Sequence, residues 1–364
     1  MTKEKNLVIV AAGTGGHVMP GLAVARVMRS RGWNLSWIGT TTGMEGALVA
    51  KDAIPFDGLA FRGVRGRGLL GAVKGGFALI RAFFEARRLL KEHRVGAMFS
   101  TGGYVAVPVG FAARTLGLPI VVMNCDADLL MSTNTLLPFC DALACGFSGG
   151  ARSFAGDKGR TTGNPVRADI VAVEPAATRF EGRTGPLRLF VFGGSLGARV
   201  FNEVVPEALA RIPEAERPSV VHQTGRGNGA AVAEHYERLG VKAEVVEFID
   251  DMAARYAECD LVLCRAGATS VAELCAAGVP AILVPFIART TNHQLGNARY
   301  MADNGAAIMI EQASLTPEGL ASTLSGLDRG QLVELGAKAR GLSRPDAASA
   351  VADLVEEVVA KRSR

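Results

Sequence analysis

Leu7-Val8-Ile9-Val10 leads through two alanines into Gly13-Thr14-Gly15-Gly16-His17, and half a chain later Leu187 to Phe192 leads into Gly193-Gly194-Ser195-Leu196-Gly197. Each unit is an apolar run of strand length, a glycine-rich turn and then a helix-like stretch. A strand entering such a turn leaves backbone N–H groups pointing outward at a helix N-terminus, where the helix dipole favours anionic or strongly polar groups. Two such units, one opening each half of the chain, predict twin α/β domains facing each other across a cleft, with the ligand between them. The turns differ in chemistry. The first carries the titratable His17 and the second only hydroxyl and backbone donors, which assigns proton chemistry to the first half and phosphate binding to the second.

Outward from these units, short apolar runs recur at helix-length intervals: Leu35 to Ile38, Ala97 to Phe99, Ile120 to Met123 and Ala142 to Ala144 in the first half. The second half adds Val220 to His222, Val245 to Phe248, Leu261 to Cys264, Ala281 to Val284 and Ala307 to Ile310. Strands alternating with helices imply βαβ units and parallel sheets, so the fold class is α/β with two Rossmann-like doubly wound domains. The pattern breaks at Thr161-Thr162-Gly163-Asn164-Pro165-Val166-Arg167, and the Gly-, Pro- and Arg-rich stretch from Arg160 to Pro186 reads as a linker. The expected division is 1–163, 164–345 and a final helix within 346–364 whose sequence suits packing on either domain, a return to the first included.

At 364 residues with 49% hydrophobic content, the chain is long enough for two domains, each with a substantial core. Its six cysteines, Cys125, Cys140, Cys145, Cys259, Cys264 and Cys275, form no C-x-x-C pair. Several lie in apolar runs, which suits a reduced cytosolic protein and argues against a zinc site or disulfide framework. Met1 to Lys5 runs straight into the first strand, so no signal peptide is expected, and no apolar stretch is long enough to span a bilayer. A net charge of +5 and a pI near 9.0 favour anionic partners without selecting one. No motif points to nucleic acid.

The location of the charge says more than its total. Arg62, Arg65, Arg67, Lys74, Arg81, Arg87, Arg88, Lys91 and Arg94 fall in one window, interleaved with Leu69, Leu70, Val73, Phe77, Leu79, Ile80, Phe83 and Phe84. At helical spacing Phe77, Ile80 and Phe84 line up beside Arg81 and Arg88, as in helices that lie on an anionic membrane surface. The alternative is a helix whose aromatics face the sheet and whose arginines face water.

Open parallel sheets bind ligands beyond the carboxyl ends of their strands. The positions to inspect are therefore Gly13 to His17, Ser100 to Tyr104, Asn124 to Asp128, Gly193 to Ser195, Arg265 to Thr269 and Phe286 to Gln294. A nicotinamide site is disfavoured, because the first turn lacks G-x-G-x-x-G spacing and the second strand ends in Gly39-Thr40-Thr41-Thr42 with no carboxylate for a ribose diol. A suitable acid stands instead in Cys264-Arg265-Ala266-Gly267-Ala268-Thr269-Ser270-Val271-Ala272-Glu273, about one turn inside a helix. Glu273 can accept from vicinal hydroxyls, or it can simply complement the helix dipole. Arg265 and Arg167 can supply charge-assisted bonds to a diphosphate.

These residues together resemble the MurG family of peptidoglycan glycosyltransferases, which have the two-domain GT-B fold. The resemblance rests on Gly13 to Ala25, Thr101-Gly-Gly-Tyr-Val105, Gly163-Asn-Pro-Val-Arg167, Gly193 to Arg199, Phe248-Ile-Asp-Asp-Met252, Cys264 to Glu273, Val284-Pro-Phe286 and His293-Gln294, in the family's order over nearly the whole chain. It implies transfer of N-acetylglucosamine from UDP-N-acetylglucosamine to lipid I, undecaprenyl-pyrophosphoryl-muramoyl-pentapeptide, forming lipid II. It implies a peripheral enzyme on the cytoplasmic face of the inner membrane, needing no cofactor or metal, with cell-wall synthesis or division proteins as possible partners.

By that resemblance the second domain holds the donor. Ile249 would line the uracil pocket, Glu273 bind the ribose, and Ser195 with the helix after it bind the diphosphate, with Arg167 and Arg265 near the phosphates or helping to shape that pocket; Gly194 and Ala268 to Ala272 also count among the donor-binding residues. Asn292, His293 and Gln294 would reach the sugar hydroxyls. Thr14, Gly15 and Gly16 would face the donor's diphosphate and sugar from the first domain, where the acceptor also binds. An inverting transfer needs a base, in-line geometry and a stabilised leaving group. His17 is the first choice for the base, the other reading being a neutral imidazole that only hydrogen-bonds a hydroxyl.

One segment departs from the family. Where many relatives carry His-Glu-Gln-Asn, this chain reads Asn124-Cys125-Asp126-Ala127-Asp128. By a small register change Asn124 would serve the donor and Asp126 the chemistry, with Asp126 as base and His17 as helper the alternative assignment. Tyr104 and Asp128 would lie on the acceptor side. Asp126-x-Asp128 also mimics a metal-binding D-x-D, but that motif belongs to a single-domain glycosyltransferase architecture. With a membrane-bound acceptor, Leu70, Phe77, Ile80, Arg81, Phe84 and Arg88 become the expected bilayer contact. The rival functions are a UDP-N-acetylglucosamine 2-epimerase of similar fold and a non-catalytic nucleotide-sugar-binding protein.

Overall fold

The computed structural model describes residues 5–13, 15–43, 45–61, 69–194, 196–287 and 292–362, the side chains of 69–73 excepted. The chain divides into two compact units, Met1–Val166 with Arg344–Arg364, and Arg167–Ser343.

In the first unit the described strands are β1 (Asn6–Ala11), β2 (Asn34–Thr40), β3 (Phe56–Leu59), β4 (Ala97–Gly102), β5 (Ile120–Asn124), β6 (Ala142–Cys145) and β7 (Gly159–Thr161). They form one parallel sheet in the order β3-β2-β1-β4-β5-β6-β7. In the second unit β8 (Arg188–Phe192), β9 (Ser219–Gln223), β10 (Glu244–Val246), β11 (Leu261–Cys264), β12 (Ala281–Leu283) and β13 (Ile308–Met309) form another, in the order β10-β9-β8-β11-β12-β13. Both orders reverse beside the first strand of the unit, between β1 and β4 and between β8 and β11. Such a reversal splays the flanking connections apart and opens a crevice at the carboxyl ends of those strands. Each glycine turn read from the sequence lies at one of these two points.

Two strands escaped the sequence pattern. β3 and β7 are the outer strands of their sheet, each paired on one side only, so neither needs the apolar run of a strand buried on both faces. β7 begins just before the stretch read as a linker, and two short helices, Ala168–Val171 and Ala176–Arg179, follow within it. The strand expected over Val245 to Phe248 is Glu244–Val246, with Phe248 turned out to solvent.

The core fixes where the first crevice sits. Trp37 on β2 is fully buried, and its Nε1 donates to the Ala11 carbonyl at 3.1 Å. The helix Gly15–Ser30 lies on that ring through Gly21, where a Cβ would stand 2.7 Å from the indole. Val18, Leu22, Ala25 and Met28 complete the buried face of that helix, so its N-terminus is held at the end of β1. The final helix, Ala347–Arg362, packs on the same helix: Glu356 accepts from Trp33 Nε1 at 3.0 Å and from Arg31 at 2.9 Å.

In the second unit, Val191, Phe201, Val205, Tyr236, Leu263 and Ile282 centre the core. His222 on β9 is fully buried there, with Nδ1 2.9 Å from the Tyr236 hydroxyl and no partner for Nε2 among the described residues. Burial lowers its pKa to about 4. The unfolded chain therefore takes up a proton below about pH 6.5 that the folded chain refuses until about pH 4, and stability falls as the pH drops through that window. The contribution lost is about 3 kcal/mol. In denaturant titrations at pH 6.5 and pH 4, His222→Phe should show a correspondingly smaller fall in unfolding free energy, and an identical fall would exclude this imidazole as the titrating group.

Candidate functional site

At the β1/β4 crevice the chain brings His17 and Thr101 together. His17, in the first turn of the Gly15–Ser30 helix, has Nδ1 2.8 Å from the Thr101 carbonyl oxygen. A carbonyl can only accept, so Nδ1 carries a hydrogen, and the neutral tautomer this selects has its lone pair on Nε2. The Thr101 hydroxyl donates back to the His17 carbonyl at 2.6 Å, closing a reciprocal clamp. Gly102 lies against the ring, where a Cβ would stand 3.3 Å from both Cε1 and Nδ1. Gly103, at φ +91°, crosses the end of β1 so closely that a Cβ would run into the Ala12 carbonyl oxygen. Thr14 lies outside the described residues. Gly15 and Gly16 form the start of the helix.

The neighbouring loop is built around Asn124. Its side chain is fully buried, donating to the carbonyls of Asp126 at 2.7 Å and Asp128 at 2.9 Å and accepting from Leu130 N–H at 3.0 Å. The amide expected to serve a ligand thus holds its own loop instead. Asn164 adds a second anchor, donating to the Cys125 carbonyl at 2.8 Å. Asp126 is buried between these anchored peptides, whereas Asp128 and Tyr104 are exposed. The two aspartates of the D-x-D pattern therefore sit in different surroundings.

At the β8/β11 crevice, Gly194 has φ +88° within the turn, and Ser195 lies outside the described residues. The facing helix, Ala268–Ala277, begins at Gly267 with no side-chain cap. Its first N–H groups thus receive no bond from the capping residue, the arrangement in which a helix N-terminus favours an anion, and the Thr269 hydroxyl is buried with no partner among the described residues. Ser270 and Ala272 are half-buried, but Val271 lies wholly in the core and can offer a ligand only its backbone. Glu273 accepts from the Tyr256 hydroxyl at 3.3 Å. Burial pushes its carboxyl up to about 7, against the opposing pull of the Arg167 charge and the Tyr256 hydrogen bond.

The two arginines divide. Arg167 is half-exposed at the start of the Ala168–Val171 helix, near Glu273 in charge. Arg265 is stacked between Phe201 and Phe286, with its guanidinium 5.0 and 5.4 Å from the ring centres, and it donates to the Val284 carbonyl and to Gln312. It shapes the wall, and its guanidinium is not turned out as a phosphate clamp. Asn292 is exposed at the start of the His293–Ala302 helix, His293 is half-buried, and Gln294 accepts from Phe286 N–H at 2.9 Å. Ile249 is half-buried beside Phe248, over whose ring Arg226 lies at 5.6 Å.

A third feature lies on the helix Leu69–Glu92. Ala82, Ala86, Leu89 and Leu90 enter the core, while Phe77, Ile80 and Phe84 are 71%, 55% and 64% exposed, with Arg81 and Arg88 beside them in solvent. The reading in which the aromatics face the sheet is corrected for Phe77 and Phe84; only Phe83 turns inward. The Leu70 side chain lies outside the described residues. Among the described residues, no helix is long and apolar enough to cross a membrane.

Residues 7–145 match the glycosyltransferase family 28 N-terminal domain, and residues 188–358 match its C-terminal domain. The chain is 50% identical over 357 residues to the UDP-N-acetylglucosamine–N-acetylmuramyl-(pentapeptide) pyrophosphoryl-undecaprenol N-acetylglucosamine transferase of Chromobacterium violaceum, covering 98% of this chain and 99% of that one. It is 51% identical over 363 residues, with the same coverages, to the enzyme of that name from Methylibium petroleiphilum. The crystal structure of Acinetobacter baumannii MurG matches with a TM-score of 0.83 at 36% identity, over 97% of this chain and 99% of that chain. The chain belongs to the MurG family. It is a glycosyltransferase with the GT-B fold.

In this member of the MurG family, three groups that bond to the candidate site residues carry no signal in the sequence. The Thr101 carbonyl is a backbone group with no side-chain signature, although it stands in the Thr101-Gly-Gly motif. Tyr256 and Gln312 reach Glu273 and Arg265 from distant segments. Because the Tyr256 hydroxyl favours the charged carboxylate, Tyr256→Phe should move the Glu273 titration above about 7, as followed by carboxyl-carbon NMR. A titration point unchanged or lowered would show that this bond does not act on Glu273.

Proposed function

We propose that this protein transfers N-acetylglucosamine from UDP-N-acetylglucosamine to lipid I with inversion, making lipid II for peptidoglycan, as a peripheral enzyme on the cytoplasmic face of the inner membrane. The observation that carries the mechanism is the His17 imidazole, fixed with its hydrogen on Nδ1 toward Thr101 and its lone pair on Nε2. The relatives' names support the two substrates.

In this reading the first unit takes the acceptor. The muramyl hydroxyl loses its proton to His17 Nε2 as its oxygen forms the new bond to the anomeric carbon of the donor sugar. The bond from that carbon to the diphosphate breaks on the opposite side, and its electron pair leaves with UDP. General base catalysis of this kind contributes about 10²- to 10⁴-fold. The second unit takes the donor, with Ile249 beside uracil, Glu273 on the ribose diol, and Arg167 close to the diphosphate. The uncapped N–H groups of Ala268, Thr269 and Ser270 and the glycine turn at Gly194 receive the charge that develops on the leaving diphosphate. Asn292, His293 and the Gln294 amide orient the sugar. No metal or cofactor has a step in this scheme. Asp126, buried beside the first crevice, is the alternative base.

With relatives named as transferases, the epimerase and the non-catalytic binding protein are set aside. Supplied with UDP-N-acetylglucosamine and a lipid I analogue, the protein should form lipid II, and with the donor alone it should form no manno isomer. His17→Ala should lower kcat by about 10²-fold or more with little change in donor affinity. Full turnover in that variant, with loss in Asp126→Asn, would pass the base role to Asp126.

The outward apolar and basic face of Leu69–Glu92 supports docking on an anionic bilayer. Burying one phenylalanine is worth about 1.5–3 kcal/mol. Phe77→Ser or Phe84→Ser should therefore weaken binding to anionic vesicles by about tenfold or more, measured by co-sedimentation, and Arg81→Gln by less, while UDP affinity holds. Equal losses of vesicle and UDP binding would make this a folding defect and refute the docking face.

A further inference from the structure

We infer that Gln223 is a positioning residue that couples the phosphate half of the donor pocket to its base half. The inference rests on the donor-site reading above. Gln223 ends β9, the strand between β8 and β10, and is 4% exposed. Its Oε1 accepts from Gly193 N–H at 3.3 Å, and its Nε2 donates to the Glu247 carbonyl at 3.0 Å. An N–H needs an acceptor and a carbonyl needs a donor, so these partners fix which way the amide points. One side chain thus holds the first residue of the phosphate turn and the peptide just before Phe248 and Ile249.

The backbone around it is interlocked. A Cβ at Gly197 would run into the Thr224 carbonyl oxygen, and one at Gly225 into that of Leu196. The Thr224 carbonyl is further held by Asn202 and Asn228, which donate to it at 3.1 and 3.2 Å. Thr224 N–H donates to the Val246 carbonyl at 2.9 Å. The phosphate turn, the end of β9 and the segment leading to Ile249 therefore shift as one body, with Gln223 as the side chain bonded to both flanks. Bound by its base, a nucleotide finds the phosphate turn at the correct distance because this amide sets it.

The test compares uridine with UDP by titration calorimetry on the full chain. Gln223→Met keeps the volume and removes both bonds. Gln223→Glu keeps an acceptor for Gly193 but sets an oxygen against the Glu247 carbonyl. In the Met variant, the affinity gained from uridine to UDP should shrink by about tenfold, while uridine itself binds nearly as before. In the Glu variant uridine binding should also fall. A residue that only stabilised the fold would weaken both ligands by one factor, so an unchanged uridine-to-UDP ratio in both variants overturns the inference. If the unmutated protein binds no UDP, or Glu273→Gln leaves UDP affinity intact, the donor-site reading fails instead.

Discussion

The close approach of one strand-end loop to its neighbour, possible only where a side chain is missing, is the constraint on which the strand-end loops of each unit depend. Gly103 passes over the Ala12 carbonyl, and Gly197 and Gly225 pass over the carbonyls of Thr224 and Leu196. The first contact falls between β1 and β4, where strand order reverses, and the other two tie the loop after β8 to the end of its neighbour β9. With the backbones in contact, the geometry of each site becomes a property of the sheet beneath it. A helix N-terminus is a weak anion site if its position wanders by an ångström, because charge-assisted bonds lose strength steeply with misalignment.

The same constraint explains how the crevice of the first unit orients its histidine. An imidazole free in water exchanges its hydrogen between the two nitrogens. Here the β4 backbone supplies an acceptor at Nδ1, and the Thr101 hydroxyl returns a bond to the His17 carbonyl. Many catalytic histidines are oriented by a carboxylate, which also stabilises the imidazolium that forms. Here a peptide carbonyl does the orienting, through the hydrogen bond at Nδ1.

How much of this was legible in the sequence follows from where each signal resides. Buried parallel strands announce themselves as apolar runs, and the inner strands of both sheets were read that way. β3 and β7 were not, because a strand paired on one side can carry Asp57-Gly58 or Gly159-Arg160-Thr161 at little cost. His17 and Glu273 were legible as unusual residues in the helix starts that follow β1 and β11. What they bond to was not, since the partners are a backbone carbonyl and a tyrosine from another segment. Asn124, Val271 and Arg265 show the opposite case. Their residue types suited a ligand, but the fold uses their polar groups or side chains internally, and only the structure distinguishes a group turned toward the crevice from one turned into the wall.

The Leu69–Glu92 helix shows the limit of periodicity from another side. Its inner stripe of Ala82, Ala86, Leu89 and Leu90 is set by the sheet, and small residues there bring the helix close to the strands. A stripe that narrow leaves Phe77, Ile80 and Phe84 without a role in the core. Phe84 meets Phe83 edge to face, and apolar residues so exposed beside arginines favour a surface that accepts both apolar and cationic groups. A bilayer surface meets both demands at once, giving the aromatics an acyl boundary and the guanidinium groups phosphate headgroups. The acceptor proposed for this enzyme is anchored in that same bilayer, so docking converts a search through solution into one over a surface. The apolar face of the helix would then act on the rate of encounter, while the chemistry stays with the crevices at the strand ends.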